Sequence, residues 1–266
     1  MKLSFTTLGC PDWPFEKILD EAQRMGFTGI EVRGIEREMR ADKIPYFLPE
    51  NAEKTKAAFE DKGLTIVGFG TSVYFHDDNN FENALEEGRL AIDVCERMGI
   101  PGIRVFGDRI EGDLNSTIER VVKGLRILSE YAKGKSVNVL LEVHGEFDRL
   151  ERLIPVIEKV KDCPEFGIIW DIEHSYKVYE EDWPVFYAGI KPWVRHTHFK
   201  DVKKTDGKFE ICIPGEGVVP MGDIYRTLMA DGYQGWYSLE WEKMWHPELP
   251  DPEVAFPRFV DYMKKQ

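Results

Sequence analysis

The chain alternates between two kinds of segment. Charged stretches carry apolar residues at helical spacing, and short β-branched or apolar runs follow them. Phe15, Ile18, Leu19 and Ala22 fall at i, i+3, i+4 and i+7. Phe81, Ala84, Leu85 and Gly88 repeat the spacing, extended by Ile92 and Cys95. Each set marks a helix with one apolar stripe. A glycine closes the polar stretch in "RMGFTGIEVRG", "DKGLTIVGFG", "RMGIPGIRVFG", "KGKSVNVLLEVHG" and "ADGYQGWYSLEW". Glycine there accepts the left-handed conformation that ends a helix. The apolar run that follows is continuous, as a strand covered on both faces should be.

The pattern predicts strands near residues 2–8, 28–33, 64–70, 102–107, 137–143, 166–171, 193–199 and 235–241. Helical segments lie between them and, after the last, near 251–264. Alternating β and α segments imply a parallel sheet. Eight such units in 266 residues, with no long spacer or linker, imply a closed (β/α)8 TIM barrel formed as a single domain over residues 1–266. No GxGxxG turn follows the first strand, which argues against a dinucleotide-binding sheet. Connections 34–48 and 71–80 are longer than average and follow strands, so both are expected to be substrate loops.

Composition narrows the function classes. Hydrophobic residues at 42% supply a sizeable core, and nothing in the chain has the character of a disordered segment. The net charge of -13 argues against nucleic acid, whose binders usually show a basic face. Cys10, Cys95, Cys163 and Cys212 are far apart and form no CxxC, so they read as reduced thiols. The first residues, MKLSFTTLGCPDWPF, lack the apolar core of a signal peptide. No apolar run reaches the roughly 18 residues of a membrane span. The expectation is a cytoplasmic enzyme, with assembly into a homo-oligomer left open.

In a barrel of this kind the chemistry sits at the carboxyl ends of the strands. Those ends carry Glu31 and Arg33, Glu142 and His144, Asp171 with Glu173 and His174, then His196, His198, Lys200 and Asp201, and finally Glu240 and Glu242. Glu142 follows "VNVLL", Asp171 follows "FGIIW" and Glu240 follows "WYSL". A carboxylate ending an apolar run is costly unless paired or bound to metal. Three such acids and the histidines of "HTHFKD" converging on one point would make a mixed oxygen–nitrogen site for a divalent cation. Singly, each acid reads equally as a helix cap or solvated loop residue, and either histidine as a core residue. Lys200 and Asp201 read equally as a surface ion pair. Glu31 and Arg33 either hold substrate or pair with each other. Arg104, inside "IRVFG", is a buried arginine that needs an acidic partner and is given no chemistry.

"VLLEVHG", "IIWDIEH", "HTHFKD", "PGEGVVP" and "GYQGWYSLEW", in this order, resemble the xylose-isomerase-like barrel superfamily. It includes sugar isomerases and epimerases, inosose-processing enzymes and the endonuclease IV type of repair enzyme. The likeness covers nearly the whole chain, and its motifs lie mostly in the second half. Carried over by position, it implies Glu142, Asp171, His198 and Glu240 as ligands of one divalent ion per chain. Manganese is the first expectation, with cobalt, zinc or magnesium as alternatives. His174 in D-x-x-H, Lys200 in H-x-K-D, Glu216 in "PGEG" and His144 are implied as substrate contacts, and His196 would support His198.

The chemistry implied is proton transfer beside a carbonyl through a metal-stabilised enediolate, with Glu142 and Glu240 as acid and base. A small sugar is the expected substrate, and isomerisation or epimerisation the expected reaction. The alternative is dehydratase or lyase chemistry on an inosose or keto-sugar. Endonuclease IV-like phosphodiester cleavage would need further histidines, for which His76 is a candidate, and the acidic charge opposes it. A non-catalytic sugar-binding barrel is opposed by the intact ligand set. Trp13, Phe75, Trp241 and Trp245 are candidates for stacking on a sugar ring, or for packing beneath loops or at a subunit contact. No glycine-rich phosphate loop is evident after strands 7 and 8, which favours an unphosphorylated substrate.

Overall fold

The computed structural model describes residues 1–266. Eight parallel strands close into a barrel. These are β1 (Leu3–Thr6), β2 (Gly29–Val32), β3 (Thr65–Tyr74), β4 (Gly102–Phe106), β5 (Asn138–Glu142), β6 (Phe166–Asp171), β7 (Val194–Phe199) and β10 (Tyr237–Leu239). Each strand pairs with its neighbours in the chain, and β1 pairs with both β2 and β10 to complete the ring. The (β/α)8 TIM barrel expected from the alternation is the fold present.

The outer ring is α1 (Phe15–Met25), α2 (Ala52–Asp61), α3 (Phe81–Met98), α4 (Leu114–Ala132), α5 (Leu150–Val160), α6 (Ile172–Tyr179), α7 (Trp183–Ile190), α8 (Met221–Ala230) and α9 (Pro252–Met263). Both predicted stripes are buried, those of α1 and α3 alike. Gly26 and Gly99 end these helices at φ +88° and +72°, where a side chain would be strained. No helix is long and apolar enough to cross a membrane.

The structure departs from the sequence reading in two places and adds detail in a third. Between β7 and α8 the chain makes an antiparallel hairpin, β8 (Asp201–Thr205) and β9 (Lys208–Cys212), outside the barrel. Its turn is Asp206–Gly207, both at positive φ (49° and 76°). Asp-Gly between two pairing strands is a strong hairpin signal. Segment 71–80 is not chiefly a loop: β3 continues to Tyr74, because "TSVYF" is β-branched and aromatic and buries Thr71, Val73 and Phe75. Segment 34–48 folds into two short 3-10 turns that bury Ala41, Ile44 and Phe47, and so is anchored to the core along its length.

Candidate metal centre and substrate cavity

Glu142 ends β5, Asp171 ends β6, His198 lies on β7 and Glu240 follows β10. All four are buried, and one ligand atom from each lies within 4.8 Å of the others. Strand alternation explains the convergence, since the closing barrel turns one face of each strand inward. His198 Nδ1 sits 2.8 Å from Glu142 Oε1 and 3.5 Å from Glu240 Oε1. Asp171 divides its labour: Oδ1 accepts the main-chain N–H groups of Glu173 and His174, capping α6. That leaves Oδ2 facing the cluster. The D-x-x-H spacing thus serves as a helix cap.

Counter-charges hold the acids together. Arg104 Nε lies 3.2 Å from Glu142 Oε2, and its Nη1 lies 3.3 Å from Glu240 Oε1. Lys200 Nζ lies 3.0 Å from Asp171 Oδ2, 2.9 Å from Glu240 Oε2 and 2.5 Å from Glu242 Oε1. Burial alone would favour neutral Glu240, but Lys200, His198 and Arg104 hold its carboxyl well below the usual range. Burial pushes Asp171 up to about 7 against the pull of Lys200. Burial also opposes charge on His198, yet Glu31, Glu240 and Glu142 raise its pKa well above the ordinary value.

A second layer lies behind His198. Its Nε2 is 3.0 Å from Glu31 Oε1, and Glu31 Oε2 is held by His196 Nε2 at 2.8 Å and by the Ser238 hydroxyl at 2.9 Å. A carboxylate on the far nitrogen fixes the ring and its tautomer for a ligand on the near one. His196 therefore acts on His198 through Glu31. Glu31 and Arg33 do not pair with each other, because Glu31 is taken by the two histidines. Arg104 finds the strand-end acids that a buried arginine needs. Its bridging of both Glu142 and Glu240 was not foreseen, though a charged residue in the middle of "GIRVF" was the visible signal.

Beyond the cluster the barrel opens into a cavity of about 230 Å³ bordered by Arg33, Arg104, Phe106, Glu142, Glu240 and Trp245. It adjoins a space of about 570 Å³ beneath the β8–β9 hairpin, lined by His174, Lys177, Phe209 and His246. His144 and Glu242 border both. Burial, then the charge of Lys200, holds His174 well below its usual pKa, so it is neutral. His144 Nδ1 lies 3.2 Å from Asp108 Oδ1, and this contact, with Glu142, outweighs burial to raise its pKa.

Other expectations are corrected. Glu216 points away from the cavity to the exposed cations Arg258 (2.7 Å) and Lys203 (3.4 Å). Lys200 and Asp201 are no surface pair, and both are buried. Lys200 is saturated by three carboxylates, while Asp201 accepts main-chain N–H groups from Val202, Gly215, Gly217 and Val219. The glycines of "PGEG" serve this turn. Trp13, Phe75 and Trp241 are core residues, and only Trp245 of the four aromatics borders the cavity. His76 stacks on Tyr74 and faces Asp108, outside the cluster.

The cluster fits a divalent ion. Glu142 Oε2 and Asp171 Oδ2 are buried and accept no hydrogen bond of good geometry. Each has only a neighbouring cation, Arg104 Nε at 3.2 Å and Lys200 Nζ at 3.0 Å, which leaves lone pairs for an ion. Three carboxylates and one imidazole nitrogen are the donor set of a borderline or hard dication.

A family model described as "Xylose isomerase-like TIM barrel" matches residues 19–266. Inosose dehydratase of Geobacillus thermodenitrificans is 24% identical over 273 residues, covering 91% of this chain and 85% of that protein. Fructoselysine 3-epimerase of Shigella flexneri is 24% identical over 264 residues, covering 93% and 92%. The crystal structure of 3-keto-D-glucoside 4-epimerase YcjR from E. coli superposes with a TM-score of 0.77 at 19% identity over the whole of both chains. With the family model spanning nearly every strand and helix, the chain belongs to the xylose isomerase-like TIM barrel family and is an enzyme of that family.

Proposed function

We propose that the enzyme is a divalent-metal-dependent isomerase or epimerase acting on a keto-sugar or polyol-derived ketone. Glu142, Asp171, His198 and Glu240 would hold one ion, assigned as manganese, with cobalt, zinc or magnesium suited to the same donors. When bound, the ion supplies Lewis-acid stabilisation of charge developing on a carbonyl oxygen. Glu142 and Glu240 carry the protons: one takes a carbon-bound proton beside the carbonyl, and the other returns one. Arg104, touching both, restrains them at a fixed separation. His174 and His144 border the space for substrate hydroxyls, and Lys200 balances charge rather than reaching outward. The observation that carries this reading is the set of four buried side chains, each offering one ligand atom within 4.8 Å of the others.

A second reading is favoured by one feature. His144 is positioned to carry a proton because Asp108 supports its charged form. An acid at the cavity wall suits departure of a β-hydroxyl, which would make the reaction a dehydration. The inosose dehydratases among the relatives agree with it. Incubating the manganese-loaded protein with a panel of keto-sugars and inososes in D2O separates the outcomes. Deuterium incorporation with an epimer or isomer supports the first reading; loss of water supports the second. Absence of turnover and of exchange across the panel, with metal bound, would overturn both.

A further inference from the structure

Arg33 follows β2 and is buried, with 7% of its surface exposed. Its main-chain N–H donates to Thr7 Oγ1 and its Nη2 to Ser72 Oγ, each at 2.9 Å. Its Nη1 has no partner. The other cations of the site are matched: Arg104 by Glu142 and Glu240, Lys200 by Asp171, Glu240 and Glu242, and Lys177 by Glu173. Arg33 alone forms no ion pair. It borders the same 230 Å³ cavity into which Glu142 and Glu240 open. Gly70 of β3 makes the arrangement possible. A methyl group there would stand 2.7 Å from Arg33 Cδ and 3.3 Å from Arg104 Cζ, so a side chain would drive the two arginines apart. Burial, then the like charge of Arg104, lowers the Arg33 pKa to about 9, which leaves it cationic at neutral pH.

An unpaired buried guanidinium is costly to keep, and pairing is its ordinary remedy. We infer that Arg33 anchors a carboxylate carried by the substrate, so that the ketone processed here is a sugar acid or cyclic polyol acid rather than a neutral sugar. A hydroxyl would satisfy the hydrogen bond of Nη1 but not the charge. A carboxylate satisfies both, and the planar guanidinium matches it geometrically. A phosphate dianion is disfavoured, because Arg33 is the one free cation and Glu142 and Glu240 lie across the same cavity. The inference deepens the proposed function and rests on it.

The test is calorimetric binding to the manganese-loaded full chain of D-fructose, D-fructuronate and D-fructose 6-phosphate, which differ only at the terminal carbon. The expected result is D-fructuronate bound about tenfold or more tighter than D-fructose, from a charge-assisted contact. Arg33→Met should bring the two affinities together, and Arg33→Lys should retain part of the difference. If Arg33→Met fails to fold, judged by its melting curve, Arg33→Lys and the wild-type comparison decide. Equal wild-type affinities, no detectable D-fructuronate binding, tighter binding of the 6-phosphate, or an undiminished preference in Arg33→Met would each overturn the inference. Those results with manganese taken up leave the proposed function standing. Failure to take up manganese removes the proposed function, and this inference with it.

Discussion

At the scale of the residue, the site is a balance of buried charges that serves in place of solvent. Lys200 is 1% exposed and touches Asp171, Glu240 and Glu242. Replacing it with methionine strands three acids, so Lys200→Met should cost the metal-free protein about 3–5 kcal/mol. That corresponds to a fall in melting temperature on the order of 10 °C. Added Mn²⁺ should recover part of the fall in a thermal melt; an unchanged melting temperature would show that the lysine is not needed as a counter-ion. His198 offers a second test. Its pKa is raised, so the metal-free protein holds a proton there at neutral pH. An ion must displace that proton, and apparent Mn²⁺ affinity should rise with pH. Calorimetry in two buffers of different ionisation enthalpy should show proton release; no buffer dependence would refute the assignment. Sequence marked Glu142, Asp171 and Glu240 as candidate ligands because each ends an apolar run, and the family resemblance added His198. It did not reveal Glu31 behind His198, or Arg104 across the two glutamates. Glu31–His198 and Arg104–Glu240 join residues more than a hundred positions apart, which no local pattern encodes.

At the scale of the element, strands and helices were legible where periodicity and glycine stops agreed, as in α1, α3 and β5. The hairpin was not predicted, although Asp206–Gly207 is its turn signal. At its start the Asp201 oxygens gather four main-chain N–H groups and fix the segment 213–219 beside β8. Asp201→Asn places an amide NH2 where one carboxylate oxygen stood, against N–H groups that need an acceptor. The variant should lose about 1–3 kcal/mol and exchange the amide hydrogens of Gly215, Gly217 and Val219 faster. Unchanged protection at those three amides would show that the carboxylate does not hold the turn. Glu216 was placed at the site by its motif, yet the turn built on Asp201 aims it outward to Arg258. The motif is therefore structural in this chain. The anchoring of loop 34–48 was not legible because its apolar residues are spaced irregularly, and only the fold shows Ile44 and Phe47 entering the core.

At the scale of the whole molecule, one cluster of 74 buried apolar residues runs through barrel and helices, so the fold is expected to stand without an ion. Dialysis against a chelator should abolish turnover while leaving the far-ultraviolet circular dichroism of the barrel intact; loss of that signal would make the metal structural. The barrel was readable because eight β segments alternate with helical segments without a spacer, which a closed parallel sheet requires. The depth and width of the cavity were not, because they depend on how the hairpin and Trp245 settle over the mouth. The central claim is that four strand ends share one dication. Anomalous diffraction at the manganese edge, from crystals soaked in Mn²⁺, tests it most directly. The account predicts a single peak within bonding distance of Glu142, Asp171, His198 and Glu240. A map with no peak among those four side chains, or with manganese held only elsewhere on the chain, would contradict it.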